Sequence, residues 1–344
     1  MKMGKLVVVC VLTFSAVAAC TPACADNTSP QIPLIIFDTD IGGDIDDLLA
    51  LAMVHALEVR GHCRLIATTS SIDNPMSGPL LDAVNTFYGK RVPVGVARGG
   101  LIPGPSSYFK LLKETDDGKP RYPYMVKSDE VPDAIGVLRK VLAAEADGSV
   151  IIVQVGFSTN LARLLDSSGD DVSPLNGVEL IKAKVKLLSV MAGYFKNVSG
   201  DEKPHRECNV VMDIPAAKKL VAMCPVPIVF SGFEIGQAIG YPWESILCDY
   251  NYVSHHIVKE GYLLFSPQEH NRPSWDLTSV LYAVFPDRGY FGVSEPHRVR
   301  VTDEGVTEFT PDPNGLHRFL TVSREQVIRV TEAFVQLCSQ PPKR

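Results

Sequence analysis

No run of Lys or Arg in this 344-residue chain is longer than a pair, as at its end, Lys343-Arg344, and 33 basic residues face 39 acidic ones for a net charge of −6. Gripping phosphates takes clustered cations, so no nucleic-acid partner is expected. The five cysteines beyond residue 25, Cys63, Cys208, Cys224, Cys248 and Cys338, are widely spaced and contain no C-x-x-C pair. Neither a zinc site nor a disulfide framework is expected from them, and the odd count leaves at least one thiol free. The chain also has no Ser/Gly linker, low-complexity tract or internal repeat, so one domain over residues 33–338 is the economical reading. What it does have is 46% hydrophobic and 21% charged residues, the make-up of a globular protein with a sizeable core.

Lys2 and Lys5 precede an apolar stretch from Leu6 to Val17, followed by small residues. A charged start, a short apolar middle and a cleavable end are the layout of a secretory signal over residues 1–25, too short to stay as a membrane span. Two cleavage sites compete. Val17-Ala18-Ala19-Cys20 resembles a bacterial lipoprotein box with a lipid anchor at Cys20, whereas Ala23-Cys24-Ala25 fits an A-x-A site before Asp26. Either predicts an exported protein, periplasmic or membrane-anchored as a lipoprotein, otherwise secreted. Removing residues 1–25 takes two lysines and no acid, moving the net charge from −6 to −8.

Short β-branched runs alternate with helical patterns. Leu34 to Phe37, Arg64 to Thr69, Val92 to Val96, Val150 to Val155, Lys186 to Met191 and Val226 to Phe230 read as strands. Asp46 to Val59, Leu80 to Tyr88, Ala134 to Ala146, Thr159 to Asp166 and Ile214 to Met223 read as helices. This alternation predicts an α/β fold with an open, mostly parallel sheet and helices on both faces, and chemistry at the carboxyl ends of the strands. Arg298 to Leu320 reads as a hairpin and Arg324 to Leu337 as a closing helix. The stretch from Gly99 to Met125, rich in Pro, Gly and Tyr, is long enough to cover a site.

Asp38, Asp40, Asp44, Asp46 and Asp47 fall within ten residues, directly after the first strand and directly before an apolar helix. Their mutual repulsion calls for a cation, and a hard divalent ion that takes carboxylate, carbonyl and water oxygens fits them. Capping alone would explain a lone Asp46-Asp47 pair at a helix start, but not five acids. A calcium loop of the EF-hand type beginning at Asp38 fails, because Gly42 and Leu49 stand where it needs oxygen ligands. A haloacid-dehalogenase-type phosphohydrolase with Asp38 as nucleophile and magnesium leaves Asp44, Asp46 and Asp47 unexplained.

Asp38-Thr39-Asp40, then Gly, then Asp46-Asp47 resembles the D-T-D-P-G-x-D-D signature of the inosine/uridine-type nucleoside hydrolases, with two extra residues and Ile41 in place of proline. Four further stretches match in family order: Val155-Gly156-Phe157-Ser158-Thr159-Asn160-Leu161-Ala162, Met191-Ala192-Gly193, Glu207-Cys208-Asn209 with Asp213-Ile214-Pro215-Ala216-Ala217, and Ser274-Trp275-Asp276. The resemblance covers residues 33–290 or so and implies a Rossmann-like core, a bound Ca2+ and hydrolysis of the N-glycosidic bond of ribonucleosides. It implies Asp40 as a metal ligand and general base on a water held by the metal. Asp47, the Val155 carbonyl and Asp276 would be the other ligands, and Asp38 and Asp44 supporting carboxylates. Asp46, Glu207, Asn209 and Asp201 would bind ribose. Asn74 or Asp73 would stand in for a ribose-binding Asn, and Trp275 could stack on the base. A small-molecule nucleoside is the implied partner, and a homo-oligomer is compatible with the reading.

The chemistry agrees with the resemblance. Breaking an N-glycosidic bond builds positive charge on the sugar, which a ring of carboxylates stabilises, and no covalent nucleophile is needed. Where many purine-acting members of that family carry a His, this chain has Trp275, which leaves the leaving-group side unassigned. His270, Arg272, Tyr252, His255 and His256 are its candidates. A calcium-dependent exported lipoprotein that binds a nucleoside or sugar without cleaving it is the non-enzymatic alternative.

Overall fold

The computed structural model describes Met1 and residues 32–102, 106–195 and 205–343; the expected signal with Cys20, and Asp201, lie outside the described residues. Leu34-Ile35-Ile36-Phe37 opens strand β1 (Leu34–Thr39), buried throughout. Side chains alternate along a strand, so one strand serves two cores. Leu34 and Ile36 join the cluster formed with α3 (Ala134–Ala144), α4 (Thr159–Asp166), α5 (Gly177–Lys184) and α7 (Ile214–Met223). Ile35 and Phe37 join the cluster with α1 (Asp46–Val59), α2 (Ser77–Phe87), α10 (Ile257–Phe265), α11 (Asp276–Val284) and α12 (Arg324–Cys338). The helices therefore flank the sheet on both faces, the α/β architecture expected from the alternation.

The other main strands are β2 (Arg64–Ser70), β3 (Val94–Val96), β4 (Val150–Gln154), β5 (Val185–Met191), β6 (Ile228–Ser231), β7 (His297–Val301), β8 (Thr307–Pro311) and β9 (His317–Thr321). They lie in the order β8-β7-β9-β6-β5-β4-β1-β2-β3, parallel from β3 through β9. The chain leaves β1 toward β2 on one side and returns to β4 on the other, with Asp38 paired to Thr69 and to Gln154. The segments leaving β1 and β4 therefore diverge, which opens a crevice at their carboxyl ends. Residues 32–344 form one compact unit, and no helix among the described residues is long and apolar enough to cross a membrane.

The carboxyl-terminal segment differs from the expected hairpin. β7 and β8 pair antiparallel, but the chain then inserts β9 between β7 and β6, parallel to β6, with His317 to Phe319 opposite Ile228 to Phe230. The apolar, otherwise unpaired edge of β6 supplies the reason, since an open edge leaves backbone donors and acceptors without partners. All five cysteines within the described residues are free: Cys63, Cys224 and Cys338 are buried, Cys208 and Cys248 exposed.

Candidate active site

The acidic segment leaves β1 and turns into α1. Gly42 takes a φ of +112°, and a Cβ there would meet the Phe109 ring at 2.4 Å, so only glycine fits. Phe109 and Tyr108 belong to the 3-10 helix Ser107–Lys113, within the long stretch after Gly99. The fully buried Tyr108 accepts from the Gly42 N–H at 2.5 Å and donates to the Asp44 carbonyl at 2.6 Å. One hydroxyl thus satisfies two backbone groups of the loop that carries the extra residues. Tyr108→Phe leaves both unpaired, with an expected loss of about 1–3 kcal/mol in stability, checked by urea unfolding. An unchanged midpoint would remove this role.

Asp46 and Asp47 sit in the first turn of α1, and Asp276 in the first turn of α11, all three buried. Asp46 Oδ2 accepts from the backbone N–H of Trp275 at 2.9 Å and of Asp276 at 3.1 Å, tying the two helix starts together across 230 residues. Thr39 Oγ1 donates to Asp47 Oδ1. Carboxylate oxygens of Asp46, Asp47 and Asp276 lie within 4.8 Å of one another. Like charges at that separation repel by about 3 kcal/mol per pair at an effective dielectric of about 20. Three pairs amount to about 10 kcal/mol, comparable with the whole stability of a domain. The amino ends of two helices return only about 0.3–1 kcal/mol each. Burial first, then neighbouring carboxylates (Asp44 for Asp46, Asp40 and Asp46 for Asp47, Asp46 and Asp47 for Asp276), hold all three carboxyls well above their ordinary range. A buried, all-oxygen, acidic donor set of this kind fits a hard divalent cation.

Asp40, one residue past β1, is half-buried, and its carboxyl is pushed up to about 7 by burial and by the charges of Asp44, Glu207 and Asp38. Asp38 lies beneath the cavity rather than on its wall. Its Oδ1 accepts from Thr69 at 2.6 Å and from Asn160 Nδ2 at 2.7 Å, and burial outweighs both bonds to bring it to about 7. Asn160 also donates to the Ser70 carbonyl at 3.0 Å, so its side chain holds strand ends together and does not cap α4. A phosphohydrolase would need Asp38 on the cavity wall as nucleophile, where it is not found.

Glu207 caps the short helix α6 (Cys208–Met212), accepting from the N–H groups of Asn209, Val210 and Gly193, and burial raises it to about 7. Asn209 Nδ2 donates to the Val155 carbonyl at 2.8 Å and to the Met191 carbonyl at 3.0 Å, which gathers the ends of β4 and β5 around one point. The Val155 oxygen keeps a second lone pair for a cation.

These groups converge on a cavity of about 380 Å³ whose walls include Asp40, Asp44, Asp46, Asp47, Val155, Glu207, Asn209, Trp275 and Asp276. Asn74 is not on its wall; its Oδ1 accepts from the Met76 N–H at the start of α2, while Asp73 holds the Gly99 N–H. Of the leaving-group candidates, only Arg272 reaches the cavity. His255 pairs with Glu260 at 2.6 Å, His256 hydrogen-bonds Tyr252 at 2.6 Å, and His270 stacks on Tyr262, so all four of these residues are engaged elsewhere. Sequence reasoning missed Phe233, Phe265 and Cys208, which also line the cavity. Phe233 stacks on Trp275 at 5.6 Å, and the Trp275 Nε1–H donates to the Phe233 carbonyl. Gly236 permits this packing, since a Cβ there would lie 2.3 Å from the indole. Nothing local marks Phe233 as functional; only the glycine three residues on hints at a close neighbour. A larger groove of about 600 Å³ lies between α7 and the β7–β9 strands, but no carboxylate cluster converges on it.

The solved structures similar to this chain share its fold. A plant nucleoside hydrolase superimposes with a TM-score of 0.67 at 19% identity, over 90% of this chain and 100% of that one. The inosine-uridine preferring nucleoside hydrolase from Bacillus anthracis gives 0.66 at 18%, over 89% and 99%, and an inosine-guanosine nucleoside hydrolase 0.63 at 18%, over 89% and 99%. No curated protein sequence matches the chain. Residues 35–310 match the family described as Inosine-uridine preferring nucleoside hydrolase, a span that contains β1, the acidic turn, α11 and every residue named above on the cavity wall. The chain therefore belongs to the inosine-uridine preferring nucleoside hydrolase family, enzymes that hydrolyse N-glycosyl bonds.

Proposed function

We propose that this protein hydrolyses the N-glycosidic bond of ribonucleosides with the help of calcium, releasing base and ribose, with Asp40 as general base. The observation that carries the reading is the meeting, in one cavity, of Asp40, the Asp46-Asp47-Asp276 cluster and a stacked aromatic pair. Asp47, Asp276, Asp40, the Val155 carbonyl and the remaining oxygen of Asp46 are the oxygens available to hold the ion. So many protein oxygens suit calcium, which takes six to eight, better than magnesium, which keeps much of its water. When bound, the ion supplies positive charge that makes an attacking water more acidic and fixes the sugar hydroxyls against it.

The chain's own groups do the rest. Asp40, open to the cavity, takes the proton of the attacking water at its carboxylate. Glu207 and Asn209, held by the ends of β4, β5 and α6, face the sugar as hydrogen-bonding groups. The carboxylates around the sugar stabilise the positive charge that grows at C1′ as the bond to the base lengthens. Phe233 and Trp275 present flat apolar surface for the base.

The test is release of reducing sugar from a panel of purine, pyrimidine and nicotinamide ribosides, with chelator and with calcium added back. Release that chelator abolishes and calcium restores is the expected result. Intact nucleoside recovered after long incubation with calcium bound would instead leave a binding protein without turnover.

A further inference from the structure

The cavity holds one cation among the described residues that line it, and its surroundings are unusual for a surface arginine. Arg272 donates from Nε to Asp44 Oδ1 at 2.9 Å and from Nη2 to Asp44 Oδ2, a two-point grip on a partly buried carboxylate. Its guanidinium carbon lies 5.2 Å from the Phe265 ring centroid and 5.3 Å from that of Trp275. Its backbone N–H donates to the Tyr262 hydroxyl at 3.1 Å, and the segment Arg272–Pro273 pairs antiparallel with Gly240–Tyr241. Charge, ring contacts and backbone all fix one orientation, and Asp44 itself is anchored through the Tyr108 bond to its carbonyl. Asp44 stands in the loop that carries the two extra residues.

A guanidinium has five N–H donors, and Asp44 uses two. Among the described residues the other three have no partner, on a group that lines the cavity beside the stacked Phe233 and Trp275. Among the described residues that line that cavity there is no histidine; His205 stacks on Phe233 at 4.0 Å but is not one of the wall residues. We propose that Arg272, held by Asp44, stabilises the negative charge that develops on the departing base, by hydrogen bonding and without giving up a proton. The inference rests on the N-ribohydrolase reading above and adds the group that acts on the leaving side.

The step balances. The C1′–N bond breaks with its electron pair on the base nitrogen, and conjugation spreads that charge to a ring nitrogen or carbonyl oxygen facing Arg272. Water adds hydroxide to C1′, and its proton goes to Asp40. Solvent returns a proton to the base anion after release. Arginine does not lose its proton at physiological pH, so donor hydrogen bonds are the service it can offer. Fixed donors aimed at developing charge are worth about a hundredfold to a thousandfold in rate.

The experiment compares the nucleoside cleaved fastest in the panel with p-nitrophenyl riboside, whose leaving group is already a stable anion. In Arg272→Gln, kcat/KM for the nucleoside is expected to fall about a hundredfold or more. For the nitrophenyl compound it is expected to fall by less than about tenfold, because little charge is left to stabilise. Arg272→Lys, which keeps the charge and loses the planar fork, should lie between. Asp44→Asn, which frees the guanidinium without deleting it, should show the same leaving-group pattern at smaller size, and it serves if Arg272→Gln fails to fold. An equal loss on both substrates would assign Arg272 to the sugar or the fold and overturn the proposal, as would an unchanged nucleoside rate. If the wild-type enzyme released neither base nor p-nitrophenolate, the N-ribohydrolase reading itself would fall, and this proposal with it.

Discussion

Asp40→Asn is expected to cut turnover of the best riboside by about a thousandfold while leaving the fold intact, the scale on which a positioned general base acts. The substitution keeps the shape of the side chain but replaces one acceptor oxygen with an amide donor and removes the basic site. The local turn survives, because it depends on the Asp40 backbone, whose carbonyl accepts from the Gly43 N–H at 3.1 Å. Asp40 is chosen over its neighbours on geometry. Asp38 is buried beneath the wall with Thr69 and Asn160, Asp44 is engaged by Arg272, and Asp46 by the start of α11. Asp40 is half-buried on the cavity wall, and among the described residues no side chain takes up its oxygens. The assay is run at saturating calcium, with the bound metal measured, so that lost ligation and lost basicity are told apart. Near-normal turnover in a metal-loaded variant would sink the assignment.

Asp276→Asn should act in opposite directions on the two forms of the protein. With calcium present, affinity should drop by more than the ten- to hundredfold that loss of an outer partner costs, because the lost group is a ligand itself. In chelator the same change removes one member of a repelling trio, two like-charge pairs of about 3 kcal/mol each, and should stabilise the chain by up to about 6 kcal/mol. Calorimetric titration and urea unfolding read the two effects. Unchanged affinity, or a chelated variant less stable than the parent, would remove Asp276 from the site.

The pH dependence of stability follows from the same crowding. In the metal-free chain Asp38, Asp40 and Glu207 are raised to about 7 from ordinary values of 3.8, 3.8 and 4.5. Between those limits the folded chain binds protons that the unfolded chain has released, so this stability is full below about pH 4 and is lost as pH rises through about 7. His55, His256 and His317 work the other way. Burial lowers them to about 4, 3 and 4, so their contribution is full above about 6.5 and is lost as pH falls through the folded values. The chelated protein should therefore lose stability from pH 6 to 8, and calcium should abolish that fall. A chelated protein with flat stability over this range would argue against the carboxylate crowding.

Local patterning by itself determined the layered α/β fold. The short continuous apolar run of Leu34 to Phe37 and the run of helix formers in Asp46 to Val59 are short-range signals, satisfied within one strand or a few turns. The acidic cluster was equally legible, because five carboxylates in ten residues cannot be accommodated without help, whatever the fold. What only the tertiary structure decided is which distant groups meet. Asp46 reaches Asp276 because α1 and α11 pack start to start, and Arg272 was separated from His255, His256, His270 and Tyr252 only by which of them faces the cavity. Phe265 carries no signal in its own neighbourhood and Phe233 only the nearby Gly236; packing places them beside Arg272 and Trp275. The insertion of β9 beside β6 was likewise a matter of which sheet edge stood open. Contacts across some 230 residues depend on strand order and helix packing, and periodicity, which reports only on which face a residue occupies, holds no record of them.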